Sequence, residues 1–238
     1  YDRAKRILSE HKEGHNELTQ LLIDKEVIFA EDVERIFGKR PWASRSEEIM
    51  AAKESQDAAR AERELAQKLK EEEINEELFS KFNRYQEVKR CWRKHGDKWE
   101  LEDVPFIEQW GKEEYKFLVK CLKNTIRTNG VVIGAFDRES LIGFFSIESE
   151  FFGAHKEYVQ LSSIHVSYKS RGRGIGKELF IIAIQEAKLL GAKKLYISAH
   201  SSEESQAFYK VMGCVEAEEY NEKIVSKEPY DCQLEFVL

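Results

Sequence analysis

Apolar residues return at three- and four-residue intervals in the first part of the chain, between Ile7 and Ile23. This spacing puts them on one side of a helix and predicts the first of two short helical patterns. A further helix, with Phe37 on its apolar face, would end at Gly38, since glycine readily adopts the left-handed conformation of a helix end. The pattern therefore predicts a helical segment over residues 1–44.

The apolar pattern thins out over residues 45–76, where alanine, glutamate and lysine dominate. These are good helix formers, but their apolar stripe is too narrow to build a core. The stripe consists of Ala58, Ala61, Leu65 and Leu69. We predict a charged linker here, either a solvated helix or a disordered chain, with a partner-binding coiled coil as the alternative interpretation.

Residues 77–238 alternate between strand-like and helical patterns. Helical spacing marks three segments, at 107–126, 177–191 and 203–213. Strand patterns follow a hairpin at 89–104 and fall at 131–137, 141–152, 158–168, 193–200 and 231–238. Strands and helices in this order predict a mixed α/β (α+β) domain.

Composition and charge narrow the class of protein. Of the 238 residues, 42% are hydrophobic and 34% charged, and the net charge of −6 disfavours nucleic acid as the main partner. The sequence has neither an apolar run of about 18 residues nor the apolar core of a signal peptide, so we expect no membrane association. The four cysteines are widely spaced, as is typical of reduced thiols, and we expect a cytoplasmic protein.

One loop between a predicted strand and a predicted helix has the residue types that bind phosphate. It reads Arg171-Gly172-Arg173-Gly174-Ile175-Gly176-Lys177. Alternating glycines permit positive φ and leave no Cβ in the way, so successive N–H groups can point into one concavity. The start of the following helix and the basic side chains add positive charge. The loop is therefore a candidate pyrophosphate site.

Two common phosphate-binding motifs do not fit this loop. A Walker loop ends in Gly-Lys-Ser/Thr, but Glu178 follows Lys177. A dinucleotide fingerprint that starts at Gly172 would require glycine at position 177. The pattern that remains is Arg-x-x-Gly-x-Gly, for which a glycine-rich turn with solvated arginines is the alternative interpretation.

Three sequence blocks around this loop resemble the GNAT family of N-acetyltransferases. They are LSSIHVSYKSRGRGIGKEL, KKLYISAH and SSEESQAFYKVMGC, in the order in which the family has them. The resemblance covers most of residues 84–238 and implies a mixed, mostly antiparallel sheet with flanking helices. In that fold the strand ending at Val166 splays away from the strand KKLYISAH, and acetyl-CoA lies in the opening.

The resemblance also implies roles for the matching residues. Backbone groups of Ile164 and Val166, on either side of His165, would hold the acetyl carbonyl and the pantetheine, and the N–H groups of residues 171–177 would hold the pyrophosphate. Ser202 stands where the family often has asparagine, at a further cofactor contact. His165 is a candidate base by residue type, but a histidine between apolar strand residues is more often packed.

Acetyl transfer to an amine needs a base and an acid. An alkyl ammonium has a pKa near ~10.4, so a proton must leave before the nitrogen attacks. Glu148 and Glu150, which the pattern puts on the strand before the cofactor strand, are the candidate bases, although an exposed strand carboxylate is the simpler interpretation of both. Tyr209 matches the tyrosine that protonates the departing thiolate in the family, and packing in the core is its alternative role.

The first 50 residues carry a second resemblance. LLIDKEVIFAEDVERIFGKRPWASRSEE is similar to the C-terminal end of membrane-anchored AAA+ zinc proteases of the FtsH type. That family's membrane helices, ATPase module and zinc motif have no counterpart in this sequence, so its activities are not implied. His11 and His15 have helical spacing, but the glutamate of a zinc-protease motif is one place late, and we expect no metal.

These patterns together lead us to expect an enzyme that moves acetyl from acetyl-CoA to an amine of a small molecule or a protein, by direct attack in a ternary complex. Neither nucleic acid nor a membrane is an expected partner, and a homodimer is left open. The alternative hypothesis is a non-catalytic scaffold or sensor of the same fold, attached to a helical segment that docks on protease assemblies.

Overall fold

The computed structural model describes residues 2–25, 28, 30–38, 66–96 and 98–238. The chain divides into two compact units, residues 1–59 and 60–238. Residues 39–65, which include most of the predicted linker, lie outside the described residues. In the described part of the chain, no helix is both long and apolar enough to cross a membrane.

The first unit has three helices in its described part, because the first of the two predicted helical patterns is divided between two helices. They are α1 (Asp2–Glu10), α2 (Lys12–Lys25) and α3 (Ala30–Phe37). Gly38 follows α3 with a φ of +81°. The Phe37 ring lies so close to Gly14 that a Cβ there would be 2.6 Å from it, so α3 touches α2 where α2 lacks a side chain. Ile23 is 68% exposed and none of the described side chains of this unit is buried, so the described apolar residues do not build a core.

The second unit contains a seven-stranded sheet and a separate hairpin. The sheet strands are β1 (Gln67–Lys68), β4 (Val131–Asp137), β5 (Ser140–Ile147), β6 (Tyr158–Val166), β7 (Lys194–Ala199), β8 (Val215–Glu216) and β9 (Cys232–Val237). They lie in the order β1-β4-β5-β6-β7-β9-β8, and all neighbours are antiparallel except β6 and β7. The hairpin is formed by β2 (Tyr85–His95) and β3 (Lys98–Gln109). The predicted mixed, mostly antiparallel sheet is confirmed.

Helices cover both faces of the sheet, because strand residues alternate between the faces. The helix α4 (Lys112–Arg127) packs on one face, where Phe144 of β5 is buried, and α5 (Ile175–Leu189) packs on the other, where Phe145 of β5 and Leu195 are buried. We name these the α4 face and the α5 face. The unit is completed by α6 (Glu203–Val211) and α7 (Glu222–Val225).

Residues 66–76, which the sequence analysis gave to the linker, pack against the sheet. Here β1 pairs with β4, and Leu69 and Ile74 are buried in the core of the α4 face. These two apolar residues are five positions apart in a charged sequence and show neither a helical nor a strand period. Their burial therefore cannot be predicted from the pattern. The sheet unit therefore takes in residues ahead of position 77.

Two other predicted boundaries are wrong. The helix predicted at 107–126 begins only at Lys112, because residues up to Gln109 continue β3 in its pairing with β2. The strand predicted at 141–152 ends at Ile147. Glu148 and Glu150 therefore lie beyond the strand that was expected to hold them.

The strands β6 and β7 are joined at one end. Their parallel pairing runs from Tyr158 opposite Lys194 to Gln160 opposite Tyr196, and no ladder pair joins them further along. We name the paired end the closed end and the other the open end. Next to the last pair, Ser162 is an extra residue in β6, a β-bulge, because Ser163 pairs with Ser146 and Leu161 with the following Ile147.

The hairpin crosses the open end and connects its two sides. On the β6 side, the Asn83 N–H donates to Ser167 Oγ at 3.0 Å. On the β7 side, Gln86 Nε2 donates to Ser202 Oγ at 3.0 Å. The hairpin therefore bridges the end of β6 and the segment that follows β7.

Candidate active site

A cavity of about 350 Å³ lies at the open end. Its wall includes the end of β6, the glycine-rich loop, one side of α6, and Arg84 and Gln86 at the start of the hairpin. Most of the predicted cofactor residues line it: Ile164, His165, Val166, Arg171, Gly172, Gly174, Ile175, Gly176 and Lys177. The structure thus brings the loop and the splayed strand to one site.

The loop has the backbone of an anion site. Gly172 and Gly174 have φ values of +73° and +83°, and a Cβ at either would meet nothing within 4 Å. Glycine is therefore required by the backbone conformation rather than by crowding. The Glu178 N–H donates to Gly174 O as the first bond of α5, so the N–H groups of residues 175–177 have no partner within the helix.

Gly176, unlike Gly172 and Gly174, does not have a positive φ. It lies in the first turn of α5, where a Cβ would be 3.4 Å from the Phe208 ring, which is ordinary van der Waals contact. A helix cannot continue through a left-handed residue, so only the two glycines ahead of it shape the loop.

The basic side chains of the loop differ in position. Arg171 and Lys177 line the cavity, and Arg171 Nε donates to Val166 O at 3.2 Å. Burial and, to a lesser extent, the charge of Arg84 lower the pKa of Arg171. Arg173 is not part of the lining, and its Nη1 lies 3.8 Å from Asp137 Oδ2.

Ser202 also lies outside the cavity lining. It is 1% exposed and precedes the first residue of α6, where its Oγ accepts from the Ser205 N–H at 3.4 Å and from Gln86 Nε2. These are the contacts of a helix N-cap, which stabilise the start of α6. The serine positions the helix that carries Tyr209.

Tyr209 lines the cavity from α6 and is 8% exposed. Burial raises the pKa of its phenol well above the usual range. The phenol therefore keeps its proton at neutral pH, which is the form that an acid needs. Tyr209 also packs against Phe180 of the core, so its two sequence-based interpretations are compatible.

Glu148 and Glu150 are not brought to the lining of this cavity. Glu148 Oε1 accepts from Ser162 Oγ at 2.7 Å and from Thr125 Oγ1 at 2.8 Å. Glu148 is thus hydrogen-bonded to Ser162, the bulge residue of β6, which lies two residues before Ile164. Glu150 is exposed.

His165 is a packed, neutral histidine. Burial and the charges of Arg84 and Arg171 lower its pKa to about 3. Its Nδ1 accepts from Arg84 Nε at 3.2 Å, which leaves the ring proton on Nε2. Its ring lies 4.8 Å from the Trp110 ring. A base that would protonate only near pH 3 is too weak to take a proton from an ammonium, so the packed interpretation fits.

A second group of titratable side chains lies near the end of β7. Asp231 Oδ2 accepts from Ser198 Oγ at 3.3 Å, and burial, together with the charge of Glu228, raises the pKa of Asp231 to about 7. Burial lowers the pKa of His200. Among the described residues, no group of three or more histidine, cysteine, aspartate or glutamate side chains is arranged to hold a metal ion.

Sequence reasoning missed Arg84 and Gln86, which line the cavity from the hairpin. Neither belongs to a motif, and both reach the site across more than 80 residues of chain. Ser205 of α6 also lines the cavity. It lies four residues before Tyr209, so helical spacing alone would have put it on the same side of α6.

Comparison with known proteins identifies the sheet unit. The model of the Acetyltransferase (GNAT) family matches residues 85–214. The fold is similar to that of a Bacillus anthracis str. Ames protein assigned as a streptothricin acetyltransferase, solved in complex with acetyl coenzyme A. That chain is 17% identical, the match covers 73% of this chain and 98% of that one, and the TM-score is 0.55.

A short segment matches a different kind of protein. It is 68% identical over 54 residues to the ATP-dependent zinc metalloprotease FtsH of Parabacteroides distasonis, which is 23% of this chain and 8% of that protein. A match to the mitochondrial inner membrane m-AAA protease component yta12 of Schizosaccharomyces pombe is 49% identical over 43 residues, 18% of this chain and 6% of that one. The chain thus spans less than a tenth of these two relatives, and the predicted resemblance to FtsH is confirmed.

Proposed function

This chain belongs to the GNAT family of acetyltransferases, and we propose that it transfers the acetyl group of acetyl-CoA to an amine of a small molecule or a protein. The observation that carries the proposal is the anion-binding loop at the open end of β6 and β7. Free N–H groups at the start of α5, together with Arg171 and Lys177, fit a pyrophosphate. The fold neighbour from Bacillus anthracis was solved with acetyl coenzyme A, which supports the same donor here.

The proposed reaction is a direct transfer in a ternary complex. The pantetheine lies along Ile164 and Val166, whose backbone groups orient the thioester. The amine nitrogen forms a bond to the thioester carbonyl carbon, and the carbon–sulfur bond then breaks. An N–H group aimed at the carbonyl oxygen stabilises the negative charge that develops there.

Tyr209 is the proposed acid that gives its proton to the sulfur of the departing CoA. Tyr209→Phe keeps the ring but removes that proton, so turnover should fall by about 100-fold or more while acetyl-CoA affinity stays the same. Steady-state kinetics and calorimetry measure the two quantities. Tyr230→Phe, which removes an exposed phenol outside the cavity lining, is the matched control. Equal turnover in Tyr209→Phe would exclude it as the acid.

Glu148 is the proposed base that receives the amine proton. Its carboxylate accepts from Ser162 at the bulge of β6, so the proton passes to it through that hydroxyl or a water. Glu150 is the second candidate base, and it has no such contact to the bulge among the described residues. Glu148→Gln should slow turnover more than Glu150→Gln, and the reverse order would exchange the two roles.

The whole proposal is tested by binding and by turnover. Calorimetry with acetyl-CoA should give a saturable isotherm, and no binding at high micromolar concentration would contradict the proposal. A panel of amines, assayed for release of the CoA thiol, should contain at least one acceptor whose acetylated product is seen by mass spectrometry. Binding of acetyl-CoA with no turnover on any amine would favour a non-catalytic sensor.

The N-terminal unit supports a second candidate function, attachment to a protease assembly. Its helices leave Ile7, Leu8, Leu22 and Ile23 exposed, and a segment of the chain matches FtsH. The full chain should then co-sediment with FtsH, and a chain without residues 1–59 should not. Equal sedimentation of both would exclude this function.

A further inference from the structure

One charged group in the cavity wall lacks a partner. Arg84 has a side chain that is 7% exposed, with Nε donating to His165 Nδ1 at 3.2 Å and Nη2 donating to Glu108 Oε2 at 2.9 Å. Its Nη1 is buried and has no hydrogen-bond partner among the described residues, and no other buried side-chain nitrogen or oxygen there is in this state. Leaving such a donor unpaired is unfavourable, so buried polar groups normally meet a ligand or a water.

Arg84 reaches the cavity from the α4 face. Its partner His165 packs against Trp110 and Phe144 on that face. The neighbours of His165 in β6, Ile164 and Val166, pack with the core of the α5 face instead. The anion-binding loop immediately precedes α5, so in the proposed function acetyl-CoA occupies the α5 side of the cavity. The Arg84 guanidinium enters from the α4 side, which remains for the acceptor.

The charges around Arg84 favour an anionic oxygen. Glu108 balances one positive charge, but Arg84 lowers the pKa of both Arg171 and His165, so its positive field reaches through the cavity wall. His165 stays neutral and adds no positive charge. The guanidinium carbon lies 5.6 Å from the centre of the Trp110 ring, and this contact and the two hydrogen bonds fix the direction of Nη1.

We propose that Arg84 Nη1 binds the carboxylate of the acceptor, so that the site selects amino acids over simple amines. This inference rests on the proposed function and names the acceptor class of that same site. Arg84 is then a specificity-determining residue that touches the substrate away from the reacting nitrogen. Its loss should act mainly on KM, because it contributes equally to binding the substrate and the transition state.

The test compares acceptors that differ only in the carboxylate. Lysine, lysinamide and cadaverine share an amine chain, and alanine, alaninamide and ethylamine form a second series. In the wild type, kcat/KM should be highest for the amino acids and about 10- to 100-fold lower for the matched amines. Arg84→Met should remove most of this difference, and Arg90→Met, which removes an exposed arginine from the same hairpin, should leave it unchanged.

Several outcomes would overturn the inference. Equal kcat/KM for amino acid and matched amine in the wild type would do so while leaving the proposed function intact. So would weaker acetyl-CoA binding in Arg84→Met with unchanged acceptor preference, since Nη1 would then meet the donor. If Arg84→Met does not fold, Arg84→Lys is used instead. Lysine keeps the positive charge but cannot donate to His165, Glu108 and the carboxylate with the fixed geometry of a guanidinium, so the preference for amino acids over matched amines should still fall.

A binding measurement separates this inference from the proposed function. If no amine is acetylated, the proposed function fails, but lysine and cadaverine can still be titrated into the complex with acetyl-CoA. Tighter binding of lysine than of cadaverine in the wild type, lost in Arg84→Lys, would support the carboxylate site. Equal binding of the two probes would overturn it.

Discussion

Both ends of the β6–β7 pair contain buried titratable side chains. A buried carboxylate is charged at the closed end, whereas an imidazole and a carboxyl at the open end are shifted toward their neutral forms. At the closed end, Tyr158 donates to Glu235 Oε2 at 2.5 Å, and Lys194 Nζ lies 3.1 Å from Glu235 Oε1. Burial alone would raise the pKa of Glu235, but the hydrogen bonds it accepts from Tyr158, the Glu218 N–H and Lys194 lower it overall. The buried carboxylate therefore stays charged.

At the open end, hydrogen bonds and opposite charges do not offset the effect of burial on the pKa values. The imidazole of His165 and the carboxyl of Asp231 are both shifted toward their neutral forms. Arg84 Nη1 has no hydrogen-bond partner among the described residues. The difference indicates that the closed end is complete as folded, whereas the open end is completed by ligands. Substitutions at the closed end should therefore change stability. Substitutions at the open end should change ligand binding and the pH dependence of stability.

The largest expected effect is the loss of acetyl-CoA binding at the open end. Gly174→Glu puts a carboxylate beside the pyrophosphate position and should weaken acetyl-CoA binding by more than about 100-fold, since like charges repel and the N–H groups are blocked. Gly191→Glu is the matched control, because Gly191 also has a positive φ, +90°, with open space around it. Calorimetry that gives the same affinity for both variants would contradict the anion site.

The closed end should respond in stability instead. Glu235→Gln keeps the shape of a side chain that is 2% exposed but leaves Lys194 without its buried counter-charge, so the free energy of unfolding should fall by about 3–5 kcal/mol. Glu218→Gln removes the exposed partner of the same lysine and should cost less than about 1 kcal/mol. In both variants the affinity for acetyl-CoA, measured by calorimetry, should stay within about threefold of the wild type. Urea unfolding measures the change in stability.

His165 should make the protein less stable in acid. Its pKa of about 3 in the folded state lies below the unfolded value of 6.5, so between these values the unfolded chain binds a proton that the folded protein excludes. Stability contributed by this group is present above pH 6.5 and falls by about 2 kcal/mol by pH 5. His165→Gln should flatten that part of the curve of unfolding free energy against pH. An unchanged slope would mean that His165 is solvated.

Asp231 should act in the opposite direction, with a smaller effect. Its pKa of about 7 lies above the ordinary value of 3.8, so the folded protein holds a proton that the unfolded chain releases. Stability from this group falls as pH rises from 3.8 to 7 and then levels off. Asp231→Asn should be more stable than the wild type at pH 8, by about 1–3 kcal/mol, and Asp137→Asn, at an exposed position, should not. Equal stability of Asp231→Asn and the wild type at pH 8 would contradict the raised pKa of Asp231.

Features that depend on neighbours in the chain could be predicted from the sequence. The loop at 171–177 was found because its glycines, its charges and the following helix are all local, and Gly38 was found as a helix end for the same reason. Ile107 and Trp110 were given to a helix because their three-residue spacing fits one, although β2 holds Ile107 in a strand. Pairing with the other strand of the hairpin outweighs local spacing there.

The parts of the site that were missed depend on contacts between distant segments. Arg84 has no motif around it, and its environment comes from His165 and Glu108. The bulge at Ser162 arises from the register of β5 against β6, which periodicity does not reveal. A pattern read along one segment contains no information about which segment it will pair with.

The hairpin across the open end also sets the order in which the site can form. Gln86 and Ser202, which it joins, are 116 residues apart in the chain. During synthesis the hairpin leaves the ribosome before β6 and α6 are made, so Arg84 and Gln86 still lack His165 and Ser202, the partners that orient them. Contacts of such long range are slow to close, whereas the loop at the start of α5 needs only its own helix. We therefore expect refolding to produce a protein that binds the pyrophosphate part of CoA before it can discriminate between acceptors.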